Sequence, residues 1–213
     1  MARTTSGFKS GLVNNGSFER VPSFVAAHTT NDSYLDGTAI GSSTQNNYGW
    51  TSIVSAGTRS LQFDNTVYKS GANSLKLSSS DTTAARSIGI QVRKDSSYSD
   101  GIPIKPNTSY TFSCWYKTDT ITNNNSNGLV INPQEDNAAG PLVGHVSSYK
   151  TGTNDWTAFG TTFTSGASST YLDPQIKIVG ESGTAWIDDV RLQQTARTTA
   201  SARSVASARG VAA

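Results

Sequence analysis

The sequence contains one cysteine, one methionine and two histidines in 213 residues. A lone Cys114 excludes an internal disulfide, and no Cys/His cluster is present that could hold zinc or an iron–sulfur group. Charge is scarce too: Asp, Glu, Lys and Arg make up 15% of the chain, and the formal net charge is +2. Hydrophobic residues reach only 35%, yet Ser, Thr, Asn and Gly fill the shortfall, not charge. Intrinsic disorder couples low hydrophobicity to high net charge, so this composition points instead to a β-rich domain of the extracellular or virion kind. No apolar run approaches the roughly 20 residues of a membrane-spanning helix. The opening MARTTSGFKSG lacks the apolar stretch of a secretory leader.

Catalytic motifs are missing as well. There is no G-x-S-x-G, P-loop or G-x-G-x-x-G. His28 and His145 stand apart, without a partner at triad or metal spacing, and read as ordinary surface or core histidines. Glu135, Asp136 and Glu181 offer carboxylates for glycoside hydrolysis, but no spacing singles them out. Glu135 and Asp136 also fall in an Asn/Pro/Gly-rich stretch that reads as loop. The chain reads as non-catalytic.

What the sequence does have is period-two alternation between turn signals, with almost nothing at helical period. Strands are predicted at Gly11–Phe18, Trp50–Ser55, Ser60–Asp64, Asn73–Ser78, Arg86–Lys94, Ser109–Lys117, Gly128–Asn132, Trp156–Thr164, Gln175–Val179 and Thr184–Gln193. N-N-G, S-G-A-N, K-P-N-T and G-E-S-G-T punctuate them. The fold class that follows is all-β: an antiparallel sandwich or jelly roll. In S-Y-T-F-S-C-W-Y-K, Tyr110, Phe112, Cys114 and Tyr116 share one face, and Thr111, Ser113, Trp115 and Lys117 share the other. The first face is core, with Cys114 a small buried hydrophobe.

Five segments carry a family resemblance: N-N-G-S-F-E (14–19), S-G-A-N-S-L-K-L (70–77), N-T-S-Y-T-F-S-C-W-Y-K (107–117), W-T-A-F-G-T-T-F-T (156–164) and T-A-W-I-D-D-V-R-L (184–192). Over residues 11–194 the chain resembles the carbohydrate-binding-module superfamily of galactose-binding-like jelly rolls, the kind appended to xylanases and other glycanases and found on phage structural proteins. The resemblance implies a structural Ca²⁺ site joining the first and last strands, with Glu19, Asp188 and Asp189 on the matching positions. Calcium takes six to eight oxygens, which carboxylates and carbonyls of adjacent strands can supply. Equally, these acids could cap strand ends or pair with Arg20 and Arg191.

Sugar sites set aromatic faces against pyranose rings and orient them with a few polar groups. Trp115, Trp50, Tyr48, Tyr68, Asn132 and Gln134 are the candidate ligand residues. The competing assignment places Trp50, Trp156 and Trp186 in the sandwich interior as plugs.

Residues 1–10 and 195–213 lie outside the jelly roll. Arg3 and Lys9 make the N-terminal end basic, as Arg197, Arg203 and Arg209 do the C-terminal one, with no acid in either. Removing those five charges from +2 leaves −3 for residues 12–194. Three arginines are few for a phosphate-binding arm, so no nucleic-acid partner is expected, and no membrane. The C-terminal stretch repeats every six residues (T-A-R-T-T-A, S-A-R-S-V-A, S-A-R-G-V-A). On an extended chain this puts the arginines on one side and small residues on the other; a flexible solubilising tail is the alternative. These features lead to an expectation of a non-catalytic bacteriophage virion surface protein, in capsid decoration or tail adsorption. It would be made in the host cytoplasm, assembled or oligomeric, and anchored on other virion proteins by its arms, with cell-surface or plant glycans as possible ligands. The alternative is a secreted carbohydrate-binding module of a polysaccharide-degrading enzyme.

Overall fold

The computed structural model describes residues 18, 28–29, 50–54, 59–84, 86–92, 101–124 and 126–195. Glu19, Tyr48, Arg197, Arg203, Arg209, the N-terminal arm, the C-terminal arm beyond Thr195 and most of the predicted strand at 11–18 lie outside these residues.

Every regular element among them is a strand, as the alternation predicts. Sheet A runs in the order β1 (His28–Thr29), β3 (Arg59–Asp64), β4 (Ser74–Ser79), β12 (Gly183–Gln194), β7 (Ser109–Ile121), β10 (Gly152–Thr164). Sheet B runs β2 (Thr51–Val54), β5 (Ser87–Gln91), β11 (Tyr171–Val179), β8 (Gly128–Asn137), β9 (Gly140–Gly144), and β6 (Ile102–Pro103) also pairs with β11. All pairings are antiparallel.

The core forms between the inner faces. Tyr110, Phe112, Cys114 and Tyr116 of β7 are buried, and Phe159 and Phe163 of the neighbouring β10 join them. Tyr116 meets Phe159 edge-on with ring centroids 5.3 Å apart. Sheet B answers with Ile88, Ile90, Leu129, Ile131, Ile176 and Ile178. Each such side chain contributes about 1.5–3 kcal/mol on burial. Burial raises the pKa of the Cys114 thiol far above its ordinary range, which fits the inert role expected of it.

Four strands run at least four residues further than their sequence suggests: β7 to Ile121, β10 back to Gly152, and β8 and β11 across a proline each. β8 continues through Pro133 to Asn137, and β11 begins before Pro174. Pro133 and Pro174 lie directly opposite each other. Two prolines can face one another only at a non-hydrogen-bonded position, where neither is asked for an N–H, so the ladder loses nothing there. On its other side the Pro133 carbonyl accepts the His145 N–H at 3.1 Å. Glu135 and Asp136 are therefore buried strand residues, a correction to their reading as loop.

Gly89 lies between Ile53 of β2 and Lys177 of β11. A Cβ there would stand 2.1 Å from the Ile176 carbonyl oxygen and 2.6 Å from the Lys177 Cα, both main chain. Gly89→Ala is expected to lower stability by about 1–3 kcal/mol, the cost of overpacking. An unchanged urea midpoint would show that β5 and β11 can part.

Candidate functional site

The sandwich separates the predicted ligand residues. Trp50 is buried against Phe18, ring centroids 6.1 Å apart, so its place is the core and not a ligand platform. Tyr68 is 43% exposed in the turn between β3 and β4. Trp115 is half-buried on the outer face of sheet A, with the Lys69 ammonium 4.2 Å above its ring. Trp186 shares that outer face; it is no plug, being half-buried with its indole N–H donating to Asp64 Oδ2 at 2.8 Å. Asn132 and Gln134 lie on the opposite side of the molecule. Leu129 and Ile131 of β8 point into the core, so alternation turns Asn132 and Gln134 to the outer face of sheet B.

There they join three residues of β11 that sequence reasoning did not single out. Gln175 is the register partner of Asn132, Asp173 that of Gln134, and Lys177 that of Val130. Lys177 Nζ donates to Gln175 Oε1 at 3.0 Å, and Asn132 Nδ2 donates to the same oxygen at 3.3 Å. Gln175 Nε2 donates to Asp173 Oδ2 at 3.0 Å, while Asp173 Oδ1 accepts the Val92 N–H at 3.0 Å. Burial pushes the Lys177 pKa down, and Asp173 partly offsets this.

The network also settles which way the amides point. An ammonium only donates, so Gln175 must show it Oε1, and Asn132 must then show Gln175 its Nδ2. That leaves Asn132 Oδ1 without a donor among the described residues, on a side chain only 8% exposed. An unpaired buried acceptor costs about 1–3 kcal/mol. The row thus presents fixed donors and acceptors on a sheet face and suits a ligand rich in hydroxyls.

Asp188 and Asp189 occupy a bulge in β12 where its register with β7 shifts, Asp189 adopting φ 49°. Asp188 is buried. Its Oδ2 accepts the N–H groups of Lys69 and Ser70 at 2.9 and 3.0 Å, and its Oδ1 accepts that of Asp189 at 2.6 Å. Burial raises the Asp188 pKa, against the pull of these N–H donors. Asp189 Oδ2 accepts the Ser70 hydroxyl at 3.0 Å, and its Oδ1 lies 3.7 Å from Arg191. Both Asp188 oxygens accept N–H groups and Asp189 accepts the Ser70 hydroxyl, so the pair clamps the β3–β4 turn; Glu19, the third residue of the calcium set, lies outside the described residues. No group of three or more His, Cys, Asp or Glu suited to a metal occurs among the described residues.

Glu135, weighed in the sequence as a loop carboxylate, is a second buried acid with a structural role. Glu135 Oε1 lies 2.5 Å from His145 Nε2, and its Oε2 accepts the Gly166 N–H at 2.8 Å and the Ser169 hydroxyl. His145 stacks on Phe163 at 4.4 Å. Burial alone would raise the Glu135 pKa, but the bonds from Ser169, Gly166 and His145 hold it below the ordinary glutamate range. A cavity of about 400 Å³ lies alongside, lined in part by Leu142, Val143 and Thr164. With both oxygens engaged, Glu135 ties β8 to the turn before β11. The only sequence clue is that Glu135 and His145 flank the β8–β9 hairpin ten residues apart.

No family model matches the sequence, and no curated protein matches it. Solved structures do match in fold. A GH51 α-L-arabinofuranosidase with arabinose bound aligns over 89% of this chain and 27% of its own, at 16% identity and TM-score 0.55. A Stig cyclase from Fischerella sp. TAU aligns over 87% of this chain and 97% of its own, at 14% identity and TM-score 0.55. The enzymatically active domain of bacteriophage CBA120 tailspike protein 4 aligns over 73% of this chain and 20% of its own, at 12% identity and TM-score 0.50. The chain therefore spans about a quarter of the arabinofuranosidase and a fifth of the tailspike domain. Carbohydrate-binding modules of families 16 and 22 align as well, at TM-scores of 0.42 and 0.44. What the chain shares with the arabinofuranosidase, the cyclase and the tailspike domain is the fold alone, an antiparallel jelly-roll sandwich.

Asp188→Ala leaves three N–H groups without their acceptor and is expected to cost about 2–3 kcal/mol, equally in calcium and in chelator. A loss seen only with calcium present would assign the pair a metal role. Glu135 gives a pH signature. Its folded pKa is depressed, so its contribution is fully present above the unfolded value near 4.3 and is lost as pH falls through the folded value. The stability difference between the native chain and Glu135→Gln should therefore shrink from about pH 6 to about pH 3, on the linkage expected of a depressed carboxylate. A constant difference would remove the charge from the account.

Proposed function

We propose that the chain is a non-catalytic glycan-recognition module built into a larger assembly, and that the polar row of Asn132, Gln134, Gln175 and Lys177 is its binding face. The observation that carries this is the buried, donorless Asn132 Oδ1 within a network that already fixes its neighbours. A hydroxyl-rich ligand supplies the missing donor. Two of the buried acids, Glu135 and Asp188, have both oxygens engaged by hydrogen-bond donors or by His145, which leaves neither placed as a general acid or base.

The assembly we favour is a virion surface. Its support comes from the sequence: a mildly acidic body between two basic, low-complexity ends, the second with a strict six-residue period. A phage tailspike is among the proteins that share this fold. The same face would serve a module appended to a secreted polysaccharide-degrading enzyme, and the ends discriminate the two. Deleting 196–213 should abolish association with particles in the first case and leave glycan binding untouched in both.

Titration of the full chain with soluble neutral polysaccharides tests the binding face. Asn132→Ala is expected to weaken binding about tenfold, the equivalent of one hydrogen bond to a buried acceptor, with Trp115→Ala near wild type. The opposite pattern would move the site to sheet A, and the absence of any glycan bound would overturn the proposal.

A further inference from the structure

Two amide oxygens of the row converge on one glycine. Gly144 of β9 is the register partner of Gln134 and is exposed. A Cβ at Gly144 would stand 2.8 Å from Asn132 Oδ1 and 3.1 Å from Gln134 Oε1. Gln134 Nε2 donates to the Glu135 carbonyl at 3.1 Å; since a carbonyl only accepts, the amide orientation is settled and Oε1 is the atom left facing Gly144. No described residue donates to either oxygen, and Asn132 is more than nine-tenths buried.

We propose that Gly144 keeps open a notch in which Asn132 Oδ1 and Gln134 Oε1 together accept the two hydroxyl protons of a vicinal diol on a pyranose ring, an inference that rests on the glycan-binding role of the same row. The chemistry selects this ligand group. Two convergent acceptors call for two donor hydrogens held close together, and hydroxyls on adjacent ring carbons provide them. An ammonium or a metal cation would also suit two carbonyl oxygens, but the Lys177 ammonium two hydrogen bonds away from Asn132 opposes a second positive charge. Each hydroxyl also keeps lone pairs, and Asn132 Nδ2, which would stand 3.4 Å from the same Cβ, is a donor within reach of them. The volume that the diol enters is the one that any larger residue at 144 would fill.

Gly144 has none of the positive φ that would make alanine strained there, and the atoms an added Cβ meets are side-chain ends of Asn132 and Gln134, with no main chain among them. Gly144→Ala should therefore fold normally and block the notch. The experiment is calorimetric titration of the full chain with soluble xylan, glucomannan and dextran, repeated on the tightest binder after periodate oxidation, which cleaves vicinal diols. Gly144→Ala is expected to weaken binding at least tenfold with an unchanged melting temperature, and the oxidised polymer to lose binding to the native chain. Gln134→Met, which removes Oε1 and leaves the glycine alone, should weaken binding several-fold and covers the case in which Gly144→Ala misfolds. Native binding with both variants within twofold of it would overturn the notch and leave the glycan module standing. Retained affinity for the oxidised polymer would likewise overturn the diol, and a native chain that binds none of the three polymers would remove both proposals.

Discussion

The whole arrangement depends on the locking of two inner faces against each other. Side chains on a strand alternate with period two, so a one-residue slip of β11 along β8 would exchange Ile176 and Ile178 for Gln175 and Lys177 in the core. Each apolar side chain lost from the interior costs about 1.5–3 kcal/mol, while each hydrogen bond of the polar row is worth about 1 kcal/mol net. The core therefore decides the register, and the outer row follows from it. β7 has the same part in sheet A, where Tyr110, Phe112, Cys114 and Tyr116 hold a central strand between β12 and β10.

Where the alternation breaks, buried acids take over. The bulge at Asp188–Val190 turns a carboxylate onto the backbone of the β3–β4 turn, and that turn carries Lys69 over Trp115. The Trp115 ring face thus meets the chain's own cation, an arrangement set 119 residues away in sequence by Asp188. Glu135 acts similarly on sheet B, fastening β8 to His145 and to the turn at Gly166–Ser169. Bulges and strand ends are where a sheet leaves N–H groups unpaired, and a carboxylate placed there supplies their acceptor.

The sequence was informative about faces and poor about neighbours. The alternation in Ser109–Lys117 correctly divides core from surface because it is a property of one strand. Whether Trp115 and Asn132 belong to one site depends on which sheet each strand joins, and nothing local encodes that; the two turned out to lie on opposite faces. Gln175 was invisible for the same reason, since its importance comes from Asn132 across the ladder. Pro133 hid the second half of β8, because a proline reads as a strand end unless its partner is also a proline. β9, G-P-L-V-G, is too short and too glycine-rich to signal a strand. Trp50 and Trp186 look alike in sequence, but only Trp186 finds a carboxylate for its N–H at the surface. The resemblance pointed rightly to the jelly roll; of its calcium set, Asp188 and Asp189 are described and hold the β3–β4 turn.

The proposed binding face on sheet B, whose polar row carries no exposed aromatic, would select ligands differently from a stacking platform. Stacking rewards almost any flat apolar ring face, so it yields affinity with little discrimination. On the sheet B row, the terms are hydrogen bonds to groups already desolvated. A ligand with a donor in the right place relieves the unpaired Asn132 Oδ1, whereas one without it leaves that oxygen buried and still unpaired. The difference is about 1–3 kcal/mol, or roughly 5- to 150-fold in affinity, for a change of one hydroxyl group. Such a face binds modestly and discriminates well. On a multivalent assembly, weak individual sites add through effective concentration, so discrimination is the property that each copy has to supply by itself.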